Sequence, residues 1–450
     1  MVISTLHRRP LLVLMFSVIV VLAVFSAVNL IRSSVAFEVP VSNYHGSSNT
    51  GDYQAFRIGS DAGVLSRTPT AEYRADFREV LVRQAREAEL SLKKKLRTPS
   101  LSETRTTRGI MVFLPYNSTK FEKELKSIYL SVGIMRTSQS DNIKTDILVF
   151  TPDGGALFAG SLGCVKARRG SFDDPERCLI YQHVPLKERA ESNDPLKSYA
   201  AYVDSMLVLA EFTDTHRYDL LMRADLDTFV TPGFANWSLP AGIALASGHG
   251  AFGSPKAFKR LEWIATQKLG LSHQGLRNVG STWYGYSDVM VAGARLTLAV
   301  MRWLETQEFS EYEKYHSGND GYPHWHYPIM LLYAGNIAMN QLPPDRIMAY
   351  VKGQRVVEMD YRSDFAEALT LDIKHLHSWH TSDFFSKFKF QAGEYIHLDL
   401  SPYVDMKTCQ AYAGMIAISS DRLTVDEMRN YISNPESLRS GDWVRLFPKP

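Results

Sequence analysis

From residue 108 onward, short apolar runs alternate with segments whose apolar residues recur at helical spacing. Apolar runs of roughly four to eight residues bounded by turn residues are typical of buried strands. Strands are predicted at residues 109–116, 145–152, 178–184, 218–225, 284–294 and 369–379. Helices are predicted at residues 119–135, 198–212, 295–305 and 326–339. The alternation predicts an α/β, Rossmann-like fold with a mostly parallel sheet flanked by helices.

The N-terminus has a different pattern. Residues 11–31 carry no charged side chain, and about 20 apolar residues suffice for a helix to cross the hydrocarbon core of a bilayer. Arg8 and Arg9 precede this segment, whereas a single arginine follows it closely. The charge bias predicts a transmembrane signal-anchor, with a cytoplasmic tail at residues 1–10 and the bulk of the chain in the lumen. The alternative is a cleaved signal peptide, since residues 34–36 are small at plausible cleavage positions.

The segment between this anchor and the α/β domain has little strand character. Residues 32–69 are rich in Ser, Gly and Asn, and residues 70–97 combine many charges with apolar residues at helical spacing. These features predict a stem at residues 32–107 that contains a charged helix near 70–97. Residues 108–450 then form the lumenal domain.

Composition and cysteine usage suit a globular domain in the secretory pathway. The 450 residues are 45% hydrophobic with a net charge of +2, and no basic patch is interleaved with aromatics, so no nucleic-acid partner is predicted. Cys164 and Cys178 are close enough in sequence to close a short loop in an oxidising lumen, which leaves Cys409 over. Asn117 and Asn236 each begin an Asn-X-Ser/Thr triplet and are candidate N-glycosylation sites.

Two carboxylates end an apolar run in the stretch "LLMRADLDTFV", residues 220–230. Asp225 and Asp227 stand two positions apart, so their side chains point to the same side of an extended segment. Open α/β sheets bind ligands at the carboxyl ends of their strands. Two hard oxygen donors there suit Mg²⁺ or Mn²⁺ that also holds phosphate oxygens. The alternative is one capping aspartate and one solvated aspartate.

A second group of possible ligands is the late histidine cluster "KHLHSWH". His375 and His377 share one face of the predicted strand, and imidazole is a good ligand for Mn²⁺ or Zn²⁺. One of them, added to Asp227, would complete three protein contacts to a cation. The alternatives are packing against Trp379 and a zinc hydrolase site, although the chain has no His-Glu-X-X-His motif.

The stretch "NVGSTWYGY", residues 278–286, is rich in glycine and aromatic residues. One interpretation is a loop over a bound donor, with Trp283 or Tyr284 stacking on a sugar. The other is that these residues are ordinary core aromatics.

The predicted anchor, stem and α/β domain, together with Asp-X-Asp and a late histidine, resemble the Golgi glycosyltransferases of the GT-A fold. In that fold the second aspartate and a late histidine hold a divalent metal on the donor's diphosphate, which implies Mn²⁺ or Mg²⁺ here. The order of elements over residues 198–380 is similar to that of the fungal-type retaining α-1,2-mannosyltransferases. That family has Glu where this chain has Asp, both at the start of the acidic motif and at the catalytic position. The sugar and the stereochemical outcome therefore stay open, and the chain also fits an uncharacterised relative group.

The resemblance implies roles for individual residues. Arg223 and Asp225 would bind the donor, since the family has an arginine just before its acidic motif. Asp288 in "GYSDVMV" falls where the family's strand bears its catalytic acid, and Asp320 lies in a similar Gly/Asp segment. Either would stabilise an oxocarbenium-like sugar or act as general base. The alternatives are a hydrogen-bonding residue at a strand end for Asp288 and an Asn-Asp-Gly turn for Asp320.

Together these expectations describe a metal-dependent glycosyltransferase in the Golgi or ER membrane, with its single span at the N-terminus and its catalytic domain lumenal, and the resemblance favours a retaining over an inverting outcome. It would transfer a sugar from a UDP- or GDP-linked donor to a glycan or glycoprotein acceptor. Two other classes stay open: an inactive relative that binds a sugar or a partner glycoprotein, and a lumenal zinc hydrolase.

Overall fold

The structure is a computed structural model of the chain and describes the following residues. These are Arg83, Arg86, Leu90 and residues 105–115, 118–168, 178–190, 192–199, 202–250, 252–315, 325–348, 359–378, 385–400, 403 and 405–433. They belong to one compact unit, Thr68–Pro450. No helix in this described part of the chain is both long and apolar enough to cross a membrane.

Several predictions from sequence lie outside the described residues. They are the tail and anchor at 1–31, most of the stem at 32–107, the glycosylation candidate Asn117 and the catalytic candidate Asp320. Within the predicted charged stem helix, Arg83, Arg86 and Leu90 are described, and all three are helical and exposed.

The described chain alternates strands and helices, as the apolar pattern predicts. The strands are β1 (Thr106–Phe113), β2 (Ile143–Thr151), β3 (Val165–Lys166), β4 (Cys178–Gln182), β5 (Leu220–Arg223), β6 (Thr228–Val230), β7 (Leu245–His249), β8 (Val279–Tyr286), β9 (Ile347–Met348), β10 (Tyr361–Arg362) and β11 (His375–His377). The helices are α1 (Thr119–Arg136), α2 (Asp153–Ser161), α3 (Tyr202–Ala210), α4 (Pro255–Trp263), α5 (Ser287–Trp303), α6 (Glu311–Tyr315), α7 (Met330–Met339), α8 (Lys387–Gln391), α9 (Cys409–Arg422) and α10 (Val425–Ser433).

The large sheet is mostly parallel. Its strand order is β3-β4-β2-β1-β5-β8-β7-β9, and β8 runs antiparallel to both of its neighbours while the other pairs are parallel. The carboxyl ends of the parallel strands therefore meet at one edge of the sheet, where β8 begins. This edge is where the acidic pair is placed, because Asp225 follows the end of β5.

Two layers of helices cover the sheet because its strands are apolar on both faces. Within β1, Met111 and Phe113 pack into one hydrophobic cluster with α3, α5 and α7. Ile110 and Val112 pack into a second cluster on the other face, with α1 and α9. Full burial of such side chains stabilises a fold by about 1.5–3 kcal/mol each, so the two clusters fix the sheet that carries the site.

The predicted disulfide is present. Cys164 and Cys178 are bonded, with their Cα atoms 4.5 Å apart, and they join the segment after α2 to the start of β4. Cys409 is buried in the first turn of α9, outside this disulfide.

A small second sheet has the order β10-β11-β6. In the antiparallel pair of β6 and β11, His377 lies opposite Thr228 and His375 lies opposite Val230. The backbone N–H of Ser378 also donates to the carbonyl of Asp227 at 2.9 Å. This register brings the end of β11 to the segment that follows β5, although about 150 residues separate them in sequence.

Two predicted elements are wrong in their bounds. The apolar pattern predicts a strand at residues 284–294, but the strand β8 ends at Tyr286 and the helix α5 begins at Ser287. The late strand predicted at 369–379 is reduced to the three residues of β11. In residues 284–294 an apolar run continues across a change of secondary structure, so the apolar pattern alone does not mark the boundary.

Candidate metal and donor site

Three side chains converge at the carboxyl edge of the sheet. One ligand atom from each of Asp225, Asp227 and His377 lies within 4.8 Å of the other two, and His377 Nε2 is 3.4 Å from Asp227 Oδ2. All three residues are partly exposed. Two carboxylate oxygens and one imidazole nitrogen form a donor set that fits a hard divalent cation such as Mn²⁺ or Mg²⁺.

Arg223 fixes the orientation of the first aspartate. Its side chain is buried, with 2% of the residue exposed, and Nη2 donates to Asp225 Oδ1 at 2.8 Å and to Ser205 Oγ at 2.6 Å. Nη1 donates to the carbonyl of Ser281 on β8. Arg223 therefore links α3 and β8 to Asp225 and holds that carboxylate in place.

A lysine that no sequence motif marks lies against the second aspartate. Lys387 Nζ donates to Asp227 Oδ2 at 2.5 Å and is 3.7 Å from Glu124 Oε1. Gln391, one turn later on α8, donates to Glu124 Oε1 at 2.6 Å. Burial raises the pKa of Glu124 to about 7, and burial would also raise that of Asp227. The charges of Lys387 and His377 outweigh that effect and lower the pKa of Asp227.

Asp360 is a second residue that sequence reasoning missed. Thr282 donates to both of its carboxylate oxygens, from the backbone N–H at 2.9 Å and from the hydroxyl. A Cβ placed on Gly248 or Gly280 would come within 2.1 Å or 2.4 Å of Asp360 Oδ2, so only glycine leaves room for this carboxylate. Asp360 itself has a φ of 55°. A lone acidic residue beside a two-residue strand carries no sequence signal for such a role.

Asp360 also contacts both histidines of β11. Its Oδ1 is 3.5 Å from His375 Nδ1 and 3.8 Å from His377 Nδ1. Burial would raise the pKa of Asp360, but hydrogen bonding to His375 and the charge of His377 hold it at about 2. A carboxylate behind a candidate metal histidine orients the ring and increases its basicity.

The two predicted metal histidines are separated by this arrangement. His377 belongs to the three-residue cluster, whereas His375 is fully buried and its Nδ1 faces Asp360 and the Thr282 hydroxyl. The structure therefore brings His377, and not His375, together with the acidic pair. The antiparallel register is the reason, because it places His377 opposite Thr228, next to Asp227, and His375 opposite Val230.

A domain family described as "Domain of unknown function (DUF7164)" matches residues 102–444, which is most of the chain. The chain belongs to the DUF7164 family. No curated protein matches it.

Three solved structures overlap the DUF7164 chain in part. Mouse xyloside xylosyltransferase 1 in its apo form is 11% identical, with 54% of this chain and 85% of that one covered and a TM-score of 0.32. The apo bifunctional glycosyltransferase WbbM is 12% identical, with 74% and 52% covered and a TM-score of 0.37. The galactosyltransferase LgtC with donor and acceptor sugar analogues is 12% identical, with 50% and 70% covered and a TM-score of 0.29. Overlaps of this extent define neither the fold nor the activity of the DUF7164 chain.

The structure does not bring Asp288 to the cluster. Arg223 pairs with Trp283 and Leu220 with Tyr286, so β8 runs away from the acidic pair. Asp288 follows Tyr286 in the first turn of α5, at the opposite edge of the sheet. Its prediction as a catalytic residue on a strand at the site is therefore wrong, because that strand has the reverse direction.

The aromatic pair predicted to cover the donor is also placed elsewhere. Trp283 and Tyr284 belong to the interior of β8, and both are buried. The indole of Trp283 donates to the carbonyl of Gly280 at 3.0 Å, and the ring of Tyr284 packs 5.1 Å from that of Trp237. The alternative that they are core aromatics is confirmed, and their prediction as donor-binding residues is wrong.

The other described candidate of the DUF7164 chain is Asn236. It is exposed in the segment after β6, where its Nδ2 donates to the carbonyl of Ser138 at 2.7 Å and its Oδ1 accepts from the N–H of Ser140 at 2.8 Å. Its glycosylation stays a prediction.

The charges around His377 predict how stability depends on pH without metal. Burial would lower the pKa of His377, but Asp227 and Asp360 raise it to about 9, against about 6.5 in an unfolded chain. The folded state then binds a proton more tightly, and this stabilisation is present at low pH and lost as pH rises through 9. In EDTA we expect the Tm to fall between pH 7 and 9.

Differential scanning calorimetry of the wild type and of His377→Gln checks this expectation. Glutamine cannot titrate, so the variant should lose the decline between pH 7 and 9. A wild-type Tm that stays flat or rises over that interval would contradict the assigned environment of His377.

Proposed function

We propose that this DUF7164 chain is a metal-dependent glycosyltransferase of the GT-A type that uses a UDP- or GDP-linked sugar. The observation that carries the proposal is the convergence of Asp225, Asp227 and His377 at the carboxyl edge of a mostly parallel sheet. Ligands of open α/β sheets bind at this edge. Hard oxygen donors with one imidazole favour Mn²⁺ or Mg²⁺ over a zinc hydrolase site.

The residues of the cluster have distinct tasks in this proposal. Asp225, Asp227 and His377 would hold the cation, which when bound neutralises charge that grows on the donor's diphosphate as the sugar–phosphate bond breaks. Arg223 holds Asp225 in place through a bond to Oδ1. Asp360 orients His377 from the other side of the ring. The catalytic carboxylate is not among these residues, and Asp320 stays the candidate for it.

The cellular compartment and the membrane attachment of the domain are also proposed. The apolar segment at 11–31 and the flanking arginines support a signal-anchor, and the Cys164–Cys178 disulfide suits an oxidising compartment. We place the domain in the lumen of the Golgi or ER, with a glycan or glycoprotein as acceptor. The resemblance to the retaining α-1,2-mannosyltransferases supports a retaining outcome.

Nucleotide release by the full-length chain in detergent micelles tests the activity. A panel of UDP- and GDP-sugars is offered with Mn²⁺ and, in parallel, with EDTA. We expect release from at least one donor in Mn²⁺ and a loss of at least about a hundredfold in EDTA. No release and no thermal shift with any donor would contradict the proposal. Tightly bound stoichiometric zinc without a response to Mn²⁺ would point to the hydrolase instead.

A further inference from the structure

One cation already lies at the candidate metal cluster, and it belongs to the chain. Lys387 Nζ is 2.5 Å from Asp227 Oδ2, and the same oxygen is 3.4 Å from His377 Nε2. A divalent cation shared by Asp227 and His377 would need to approach this oxygen. The ammonium group and the cation would therefore compete for one carboxylate oxygen. Two positive charges bound to the same oxygen would also repel each other.

Lys387 has a second carboxylate neighbour away from the cluster. Glu124 on α1 is buried, with 4% of the residue exposed, and its Oε1 is 3.7 Å from Lys387 Nζ. Gln391 holds that carboxylate by donating to the same oxygen at 2.6 Å. A lysine side chain is flexible and carries a compact charge, so a short movement would transfer its main contact from Asp227 to Glu124 without moving α8.

The backbone around Lys387 is anchored independently of these charges. Phe390, on the same helix, is buried and packs near Phe385 and over the second hydrophobic cluster. The burial of Phe390 therefore holds α8 against the fold in addition to the contact between Lys387 and Asp227.

From this geometry we infer that Lys387 is an intramolecular competitor of the divalent cation. When the cation binds, the ammonium group of Lys387 moves from Asp227 to the carboxylate of Glu124. The inference rests on the proposed metal site. In the metal-free chain Lys387 holds Asp227 in place. On metal binding it turns to Glu124, so the chain weakens its own affinity for the cation and keeps the site ordered when no cation is present.

Mn²⁺ titration of the full-length chain in micelles, read by isothermal calorimetry and by the EPR signal of free Mn²⁺, tests the inference. Lys387→Met should bind Mn²⁺ about tenfold more tightly, because the competing charge is gone. Glu124→Gln should bind it several-fold more weakly, because Lys387 then has no alternative anion. Lys387→Arg keeps the charge and should not tighten binding.

One control separates competition at the carboxylate from a general change in net charge. Lys389 is exposed on the same short helix. Lys389→Met removes the same charge as Lys387→Met at a solvent-exposed position. It should bind Mn²⁺ within about twofold of the wild type, as expected for an exposed charge screened by solvent.

The outcomes distinguish this inference from the proposed function. A wild type that binds no Mn²⁺ would overturn both. A wild type that binds Mn²⁺ while Lys387→Met binds it equally or more weakly would overturn only the role of Lys387. If Lys387→Met does not fold without metal, Glu124→Gln decides, since unchanged or tighter binding there would contradict the inference.

Discussion

Asp227→Asn is expected to lower Mn²⁺-dependent nucleotide release by about a hundredfold to a thousandfold. Asp227 is the member of the cluster that contacts both Lys387 and His377. An uncharged amide is a poorer ligand for a hard cation than a carboxylate, and the loss of one group that stabilises developing charge typically costs this much in rate. Nucleotide release at saturating donor, measured across a Mn²⁺ titration, checks the expectation.

Asparagine is preferred to alanine at this position for a structural reason. Only 12% of the Asp227 side chain is exposed next to Lys387, and removal of one partner from a buried ion pair costs about 3–5 kcal/mol of stability. The asparagine oxygen can still accept a hydrogen bond from the ammonium group. Asp372→Asn is the matched control, since Asp372 is exposed on the segment before β11. Wild-type activity in Asp227→Asn would remove Asp227 from the mechanism.

The parallel half of the sheet can be predicted from the sequence because its signals are local. Each of β1, β2, β4 and β5 is a buried apolar run, and α1 and α3 are amphipathic segments between them. The acidic pair after β5 is readable for the same reason. Two carboxylates that directly follow a buried strand lie at its carboxyl end whatever the strand's neighbours are.

The direction of β8 cannot be predicted from the sequence. An apolar strand followed by a helix has the same pattern whether it runs parallel or antiparallel to its neighbours, because both sheet faces are buried. The direction of β8 decides where Asp288, Trp283 and Tyr284 lie. Here it places Asp288 at the edge of the sheet opposite the acidic pair. The resemblance to the α-1,2-mannosyltransferases rests on the order of elements along the chain. It does not include strand pairing, so it does not indicate the direction of β8.

Contacts between distant segments account for the rest of the site. The choice between His375 and His377 depends on the register of β6 against β11, two short strands paired across about 150 residues. Asp360 and Lys387 come from segments whose sequences show no motif. Their roles follow from where the second sheet and α8 pack, which no local pattern specifies.

Asp360 is the position where we expect the largest loss of stability. Its carboxylate is enclosed by Gly248 and Gly280 and accepts two hydrogen bonds from Thr282. Truncation would leave the buried imidazole of His375 and the Thr282 donors without their acceptor. The backbone adds to the loss, because a φ of 55° is more favourable for Asp, Asn or Gly than for Ala.

Asp360→Ala should therefore lower the free energy of unfolding by about 3–5 kcal/mol, and Asp360→Asn by less, since asparagine tolerates the backbone conformation and keeps one acceptor. Both should weaken Mn²⁺ binding by about tenfold to a hundredfold, because His377 loses the carboxylate that orients it. Denaturant unfolding in EDTA and Mn²⁺ calorimetry measure the two effects separately. Ser363→Ala is the control, as Ser363 is buried beside β10 and its hydroxyl makes no hydrogen bond within the described part of the chain. Wild-type stability together with wild-type Mn²⁺ affinity in Asp360→Ala would show that this carboxylate supports neither the second sheet nor the metal cluster.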